Sequence, residues 1–251
     1  MSTFEQKYSA LYETIYAEKD YHREVECLKQ MLLGHSSKVK TIINFGCGTG
    51  KHDVLLAEHG FLITGVDRSH DMLEIAKNKQ HSGNPNFLHI DESDQIANGS
   101  MEASLCLFDV FSYFTEDSDI DYFFDFINKK GNSSCPLIFD FWYLPAVIHL
   151  KPETRKKTFH IGNSKITRIC NSSLEVSTSC VNATHQFFLE DKTGIETFSE
   201  THRMRCFTKN EIRLILDKHG FELKTIGTWG NPTKEPNLND WSVLAYASRK
   251  N

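Results

Sequence analysis

Apolar and polar positions change their spacing along this chain, and each change marks a different part of the expected fold. Tyr8, Leu11, Tyr12, Ile15 and Tyr16 recur at helical intervals within residues 3–18. Asp20 is placed to cap a second helix, with Val25, Leu28, Met31 and Leu32 as its buried stripe and Gly34 as its stop. From residue 41, short apolar runs of strand type (42–43, 61–66, 87–90, 103–108 and 136–141) alternate with helical patterns. The helices carry Val54, Leu55, Leu56 and Ala57 up to Gly60; Met72, Leu73 and Ala76 behind a capping Ser69; and Ile120, Phe123, Phe124 and Ile127 up to Gly131. Strands alternating with helices predict an α/β fold with a doubly wound, mostly parallel sheet. Its ligand should lie at the carboxyl ends of the strands.

The alternation stops at residue 151. From 151 to 206 there is no helical period, only runs rich in Thr, Val, Ile and Phe at 157–161, 166–170, 174–189 and 195–204. Gly162-Asn163 and Lys192-Thr193-Gly194 read as hairpin turns, so an antiparallel insert over the sheet's carboxyl edge is expected. Thr208 and Glu211 make a capping box for a helix bearing Ile212, Ile215 and Leu216 and ending at Gly220. Runs at 221–228 and 241–247, joined by a loop over 230–240, supply two final strands. The expected organisation is N-terminal lid helices over 1–36, a binding core over 37–150, the insert on the substrate side over 151–206, and the rest of the core over 207–251.

Composition narrows the function classes. A chain of 251 residues, 39% apolar and 24% charged, suits one globular domain with an elaboration. The formal net charge of −5 is spread along it, which argues against a dedicated nucleic-acid surface. No apolar run approaches the roughly 20 residues of a membrane span, and Met1-Ser-Thr-Phe-Glu5 lacks the basic and apolar regions of a signal peptide. Seven cysteines without a C-x-x-C pair suggest neither a disulfide framework nor a zinc site. A cytoplasmic monomer or homodimer without a metal is expected.

The most informative stretch is Thr41-Ile-Ile-Asn-Phe-Gly-Cys-Gly-Thr-Gly50. Alternating glycines at a strand-to-helix turn let backbone approach a ligand closely and leave helix N-terminal amides for it. A dinucleotide site would need glycine where Lys51 stands; a phosphate loop would need glycine at Phe45 and Ser or Thr at His52. The spacing is instead G-x-G-x-G. Asp67, about twenty residues on at the end of the next strand, suits a ribose diol. Other strand ends supply Asp91, then Asp109 and Tyr113, then Trp142 and Tyr143. Tyr12 and Tyr21 flank the break between the first two helices, where side chains reach a cleft; Tyr8 and Tyr16 read as packing.

With these residues the chain resembles class I S-adenosylmethionine-dependent methyltransferases. Lys19-Asp-Tyr-His-Arg-Glu24, Cys47-Gly-Thr-Gly50, Phe141-Trp-Tyr-Leu-Pro145, Ile166-Thr-Arg-Ile169 and Thr201-His-Arg203 make a narrower resemblance. They look like nucleotide-sugar N-methyltransferases that dimethylate dTDP-linked amino sugars. The resemblance implies a Rossmann-like seven-stranded sheet with an inserted antiparallel subdomain and N-terminal lid helices. It implies S-adenosyl-L-methionine as cofactor, S-adenosyl-L-homocysteine as its product, and a small-molecule acceptor, a dTDP-sugar, between core and insert. Gly46, Gly48 and Gly50 would admit the methionine portion, Asp67 the ribose and Asp91 the adenine amine; Tyr12 and Tyr21 would close over the cofactor. Cys47, Arg68, Glu92 and Phe108 complete the expected cofactor contacts. Two positions depart from the pattern: Asn44 stands where the family usually carries Asp or Glu, and Tyr113 where those enzymes tend to carry histidine near the acceptor amine.

Tyr12 and Tyr113 are the expected catalytic residues, Tyr12 because aromatic faces favour a sulfonium. Tyr113, Trp142, Arg168 and His202 are expected to border the acceptor, Arg168 because a guanidinium suits a diphosphate. Beside these stand plainer readings: Arg168 paired with a nearby acid, and His202 and Arg203 as structural residues on the insert. Methyl transfer from a sulfonium needs collinear alignment at about 3 to 3.5 Å. An alkylamine needs only to lose a proton first, whereas a sugar hydroxyl needs a resident base. Asp109, His202 and Tyr113 form no evident relay in the sequence, which favours nitrogen as acceptor. An oxygen acceptor and a non-catalytic cofactor-binding subunit stay open as alternatives.

Overall fold

A computed structural model describes residues 6–36, 38–79, 83–162 and 164–250 of the chain. The start of the first expected helix, the Met1–Glu5 stretch and Asn163 of the first expected hairpin lie outside these described residues. The chain opens with α1 (Gln6–Ile15) and α2 (Tyr21–His35). Asp20 caps α2, accepting the Arg23 amide at 3.0 Å. Gly34 does not end the helix; the Ser36 amide closes it one turn back on Leu32.

The core follows as β1 (Thr41–Phe45), α3 (Lys51–Glu58), β2 (Leu62–Asp67), α4 (His70–Lys77), β3 (Asn86–His89), β4 (Ala103–Cys106), α5 (Asp117–Lys130) and β5 (Leu137–Tyr143). After it come α6 (Leu144–Leu150), an antiparallel meander of β6 (Arg155–Ile161), β7 (Ser164–Glu175), β8 (Cys180–Asp191) and β9 (Gly194–Phe207), then α7 (Lys209–Lys218), β10 (Phe221–Gly227) and β11 (Ser242–Arg249). The core sheet has the order β3-β2-β1-β4-β5-β11-β10. Its first five strands are parallel, and β11 and β10 are antiparallel to their neighbours. This is the doubly wound seven-stranded fold expected.

Adjacent residues on a strand point to opposite faces. On one face Ile43, Phe139 and Val243 pack with Phe123, Phe124 and Ile127 of α5 and Ile212 and Leu216 of α7. On the other, Ile42, Ile138 and Leu244 meet Val25, Leu28 and Leu32 of α2 and Leu56 of α3. Burial on both faces is why these strands read as continuous apolar runs. Each buried Leu, Ile or Phe stabilises by about 1.5–3 kcal/mol, so the strand ends are held by a dense two-sided core. A separate cluster joins α1 to the meander: Tyr8, Leu11 and Ile15 pack with Ile166 and Phe187.

The meander is sewn into the core sheet. Cys206 and Phe207 at the end of β9 pair in parallel with Trp142 and Tyr143 of β5. They take the side of β5 that β4 leaves at Cys106.

Some boundaries differ from expectation for local reasons. The run expected over 174–189 is two strands, because the chain turns at 176–179, where Ser179 adopts a φ of 54°. The hydroxyl-rich Ser177-Thr178-Ser179 supplies that turn. Strand four stops at Cys106 because Phe108 and Asp109 both adopt left-handed φ, 64° and 60°. Strand five runs on to Tyr143 because β9 and β11 extend its pairing beyond residue 141. Helix α6 was not expected: its seven residues are too few for a period to show, although Pro145 sits in the first turn where proline is tolerated.

Candidate active site

The glycine turn forms as its spacing requires. Gly46, Gly48 and Gly50 all have left-handed φ, 75°, 55° and 72°. A Cβ on Gly46 would lie 2.5 Å from Val110, and one on Gly50 would strike the ring of Phe87. A Cβ on Gly48 would meet nothing within 4 Å, so this is where a ligand can approach the backbone. Not every amide here is left for a ligand: that of Gly48 donates to Asp67 Oδ2 at 2.8 Å. Asp67 Oδ1 accepts from Ser69 at 2.8 Å, so one carboxylate ties the turn to the start of α4. Burial pushes the Asp67 carboxyl above its ordinary range despite these bonds. Behind the turn, Asn44 donates to Asp53 Oδ2 at 2.8 Å.

In front of the turn opens a cavity of about 910 Å³. Its near wall includes Gly46, Cys47, Gly48, Asp67 and Arg68. Tyr12, Tyr16, Tyr21 and Phe108 form an aromatic wall, with Tyr16 lying 4.9 Å edge-on to Phe108. Helix α1 is fastened over this wall by Glu13, which bonds Thr49 Oγ1 in the turn and pairs with Lys79 at 2.8 Å and Lys51 at 3.3 Å. The far wall comes from β5 and the meander: Trp142, Arg155, Arg168, His185 and His202.

Between the two walls stand two polar constellations. Asp140, in the apolar strand β5, accepts the Asp109 amide at 2.8 Å and Trp229 Nε1 at 3.0 Å, which holds the left-handed Phe108–Asp109 pair in place. Asp109 lines the cavity and accepts from Ser242 Oγ at 2.6 Å. Burial raises both carboxyls, and the charge of Asp109 raises Asp140 further. The second constellation is Tyr113 with His202, Oη to Nδ1 at 2.7 Å, with Glu200 Oε1 3.5 Å from His202 Nε2. Burial pushes the Tyr113 phenol up and, with His185 and Arg168, pulls the His202 imidazole down to about 3.

Residues 42–129 match the family model described as "Methyltransferase domain". The matched stretch is a methyltransferase domain, and the fold around it is that of an S-adenosylmethionine-dependent methyltransferase from Clostridium acetobutylicum ATCC 824 (TM-score 0.79, 18% identity, 98% of each chain). The methyltransferase is 26% identical over 196 residues to the dTDP-3-amino-3,6-dideoxy-alpha-D-glucopyranose N,N-dimethyltransferase of Streptomyces fradiae, covering 77% of this chain and 74% of that one. Its fold is that of the sugar N-methyltransferase KedS8 from Streptoalloteichus sp ATCC 53650 (TM-score 0.80, 18% identity, 97% and 93% of the two chains). It is also that of CalS10, an amino pentose methyltransferase from Micromonospora echinaspora (TM-score 0.76, 17% identity, 100% and 99%).

The methyltransferase's cofactor is S-adenosylmethionine, and the walls fit it: an open approach at Gly48, a buried carboxylate at Asp67 and aromatic faces beside them. The structure brings Tyr12, Tyr21, Gly46, Cys47, Gly48, Asp67, Arg68, Phe108, Tyr113, Trp142, Arg168 and His202 to one cavity. It does not bring Asp91 and Glu92 there. His89 caps the 3₁₀ turn that follows β3, Glu92 turns back to accept the His89 amide at 2.8 Å, and the Asp91 side chain is 87% exposed. Ile90 lines the cavity at this strand end instead. Tyr16, read as packing, lines it too. Asp140 was missed, although a lone acid inside the apolar run 137–141 signals a buried bonding role. Glu13 and Ser242 carried no such signal.

Proposed function

We propose that this methyltransferase methylates the amine of a small polar metabolite, a nucleotide-linked amino sugar, held between the core and the meander. The observation that carries this reading is the extent of the cavity, which continues past Tyr113 and Trp142 to Arg155 and Arg168 on the meander. Among the described residues no carboxylate pairs with Arg168, whose guanidinium lies 5.7 Å from the Phe159 ring centre. A guanidinium kept at a cavity wall without an acid suits a diphosphate, which it can contact through two N–H groups. The Streptomyces fradiae relative, a dTDP-amino sugar N,N-dimethyltransferase, supports the same reading.

On this reading Gly46, Cys47 and Gly48 hold the methionine portion of the cofactor, Asp67 and Arg68 its ribose side, and Tyr12, Tyr21 and Phe108 face its sulfonium. When bound, the cofactor supplies a methyl group on a positively charged sulfur. The chain's own contribution is alignment, worth most when both reactants are held close and collinear. Asp91 and Glu92 are left out of the assignment.

Methyl transfer to a hydroxyl is the second reading, favoured by one observation: Asp109 is a cavity-lining carboxylate raised by burial, the kind of group that serves as a base. Mass-spectrometric turnover with S-adenosylmethionine and a panel of dTDP-linked 3-amino and 4-amino sugars, beside their hydroxyl counterparts, separates the two. A gain of one or two methyl groups confined to the amines is expected. A gain confined to the hydroxyl sugars rejects the amine reading.

A further inference from the structure

We propose that Asp119, in the first turn of α5, recognises the 6-amino group of the cofactor's adenine. The proposal rests on the placement of the ribose at Asp67 given above and is independent of the methyl acceptor.

The path of the cofactor follows from the order of the strands. Gly48 lies just past β1, Asp67 ends β2, and Ile90 follows β3, the next strand in line. Neighbouring strands are about 4.8 Å apart. With the methionine portion at Gly48 and the ribose at Asp67, the base on the far side of the ribose continues toward Ile90. An apolar slot stands there. Ile90, Val110 and Phe114 all line the cavity and pack, partly buried, on the cluster around Phe123. Val110 is pressed against the glycine turn, where it leaves no room for a Cβ on Gly46, and Phe114 lies 5.3 Å from the ring of Phe123. Such walls suit the faces of a purine. They do nothing for its amine, which loses water on entering and needs an acceptor.

One acid is left to supply it. Among the described residues, the acids that line the cavity are Asp67, Asp109, Asp119 and Glu153. Asp67 is taken by the turn and the ribose. Asp109 follows β4, on the other side of β1, and is bonded to Ser242 of β11. Glu153 precedes β6, on the meander side. Asp119 comes five residues after Phe114, and Tyr122, three residues further on the same helix face, lines the cavity beside it. One oxygen of Asp119 accepts the Glu116 amide across a long 3.4 Å; the other has no hydrogen-bond partner among the described residues. Asp119 is exposed, so the contact forms at the rim of the cavity, where the carboxylate gives up little water.

A carboxylate can only accept, so it favours an amine at this position and opposes a carbonyl. Titration calorimetry of S-adenosylhomocysteine against S-inosylhomocysteine, which has a carbonyl in place of the adenine amine, reads that choice on the full chain. The parent should prefer the amine about 10-fold or more. Asp119→Asn keeps an oxygen for the Glu116 amide and adds an N–H₂ that can donate to a carbonyl. Its preference for the amine should be at least about fivefold smaller than the parent's. Both ligands are measured on one protein, so partial unfolding of a variant cancels in the ratio. Asp91→Asn should keep the parent's ratio. Equal affinities in the parent, an unchanged ratio in Asp119→Asn, or a collapsed ratio in Asp91→Asn overturns the proposal. Asp67→Ala removes a contact common to both ligands. Unchanged affinity for both in that variant rejects the ribose placement instead, and the Asp119→Asn ratio still decides the adenine contact.

Discussion

Asn44 donates a hydrogen bond to Asp53 across 2.8 Å, with both side chains buried directly behind the glycine turn. The departure of residue 44 from the usual acid thus has a physical account. The acid stands on α3 instead, and an amide opposite it can donate where a carboxylate could not. Burial raises Asp53 to about 7, against 3.8 for the exposed group. Because the folded state holds this proton more tightly than the unfolded one, stability is greatest below the unfolded value. It declines as pH rises from about 4 to 7, by roughly 4 kcal/mol at most. Asp53→Asn keeps an oxygen for Asn44 and removes the titration. Its gain in Tm over the parent should be about 5 °C larger at pH 8 than at pH 5. Equal gains at both pH values, by differential scanning calorimetry, would reject the assignment.

Asp67 serves two masters, the turn and the proposed ribose. Asp67→Ala removes both and should weaken S-adenosylhomocysteine binding about 100-fold or more, at roughly 1.5–3 kcal/mol per bond to a charged group. Asp67→Asn keeps an oxygen for one backbone amide and should fall between. Titration calorimetry decides it: unchanged affinity in Asp67→Ala removes Asp67 from the cofactor site.

Glu13 fastens α1 to the turn, and burial of its carboxyl is outweighed by Lys79, Thr49 and Lys51, which together hold it below its ordinary value. Its pairing is therefore in force at neutral pH and is lost as pH falls through that lowered value. The pairs are about a third exposed, so each contributes at most about 1 kcal/mol. Glu13→Gln should speed S-adenosylhomocysteine dissociation about 3- to 10-fold in stopped-flow fluorescence. A rate equal to the parent's would mean that α1 does not control the exit path.

What the sequence made legible was local. The glycine spacing, Asp67 at its offset and the Thr208–Glu211 cap are each specified by neighbours within some twenty residues. The Tyr113–His202 contact was not legible, because it depends on where β9 rejoins the sheet. Asp91 was misplaced for a related reason. A strand end fixes where a residue begins, but whether the next residues face the cavity depends on the cap, here a histidine whose ring also stacks at 4.0 Å on His70. The run 174–189 failed differently. Its serines and threonine suit a strand as well as a turn, and only the pairing partners decide between them.

The pairing of Cys206 and Phe207 with Trp142 and Tyr143 fixes one end of the meander to the core sheet, while the β6–β7 connection and the turn at 192–193 lie at the opposite end. Lengthening those turns by a few residues leaves the junction in register. A one-residue slip at the junction itself would invert every side chain of β9. The architecture therefore divides the labour of change: among the described residues the distal hairpins do not line the cavity and can vary in length, while the meander residues that do line it, from Arg168 to His202, stay tied to the junction's register.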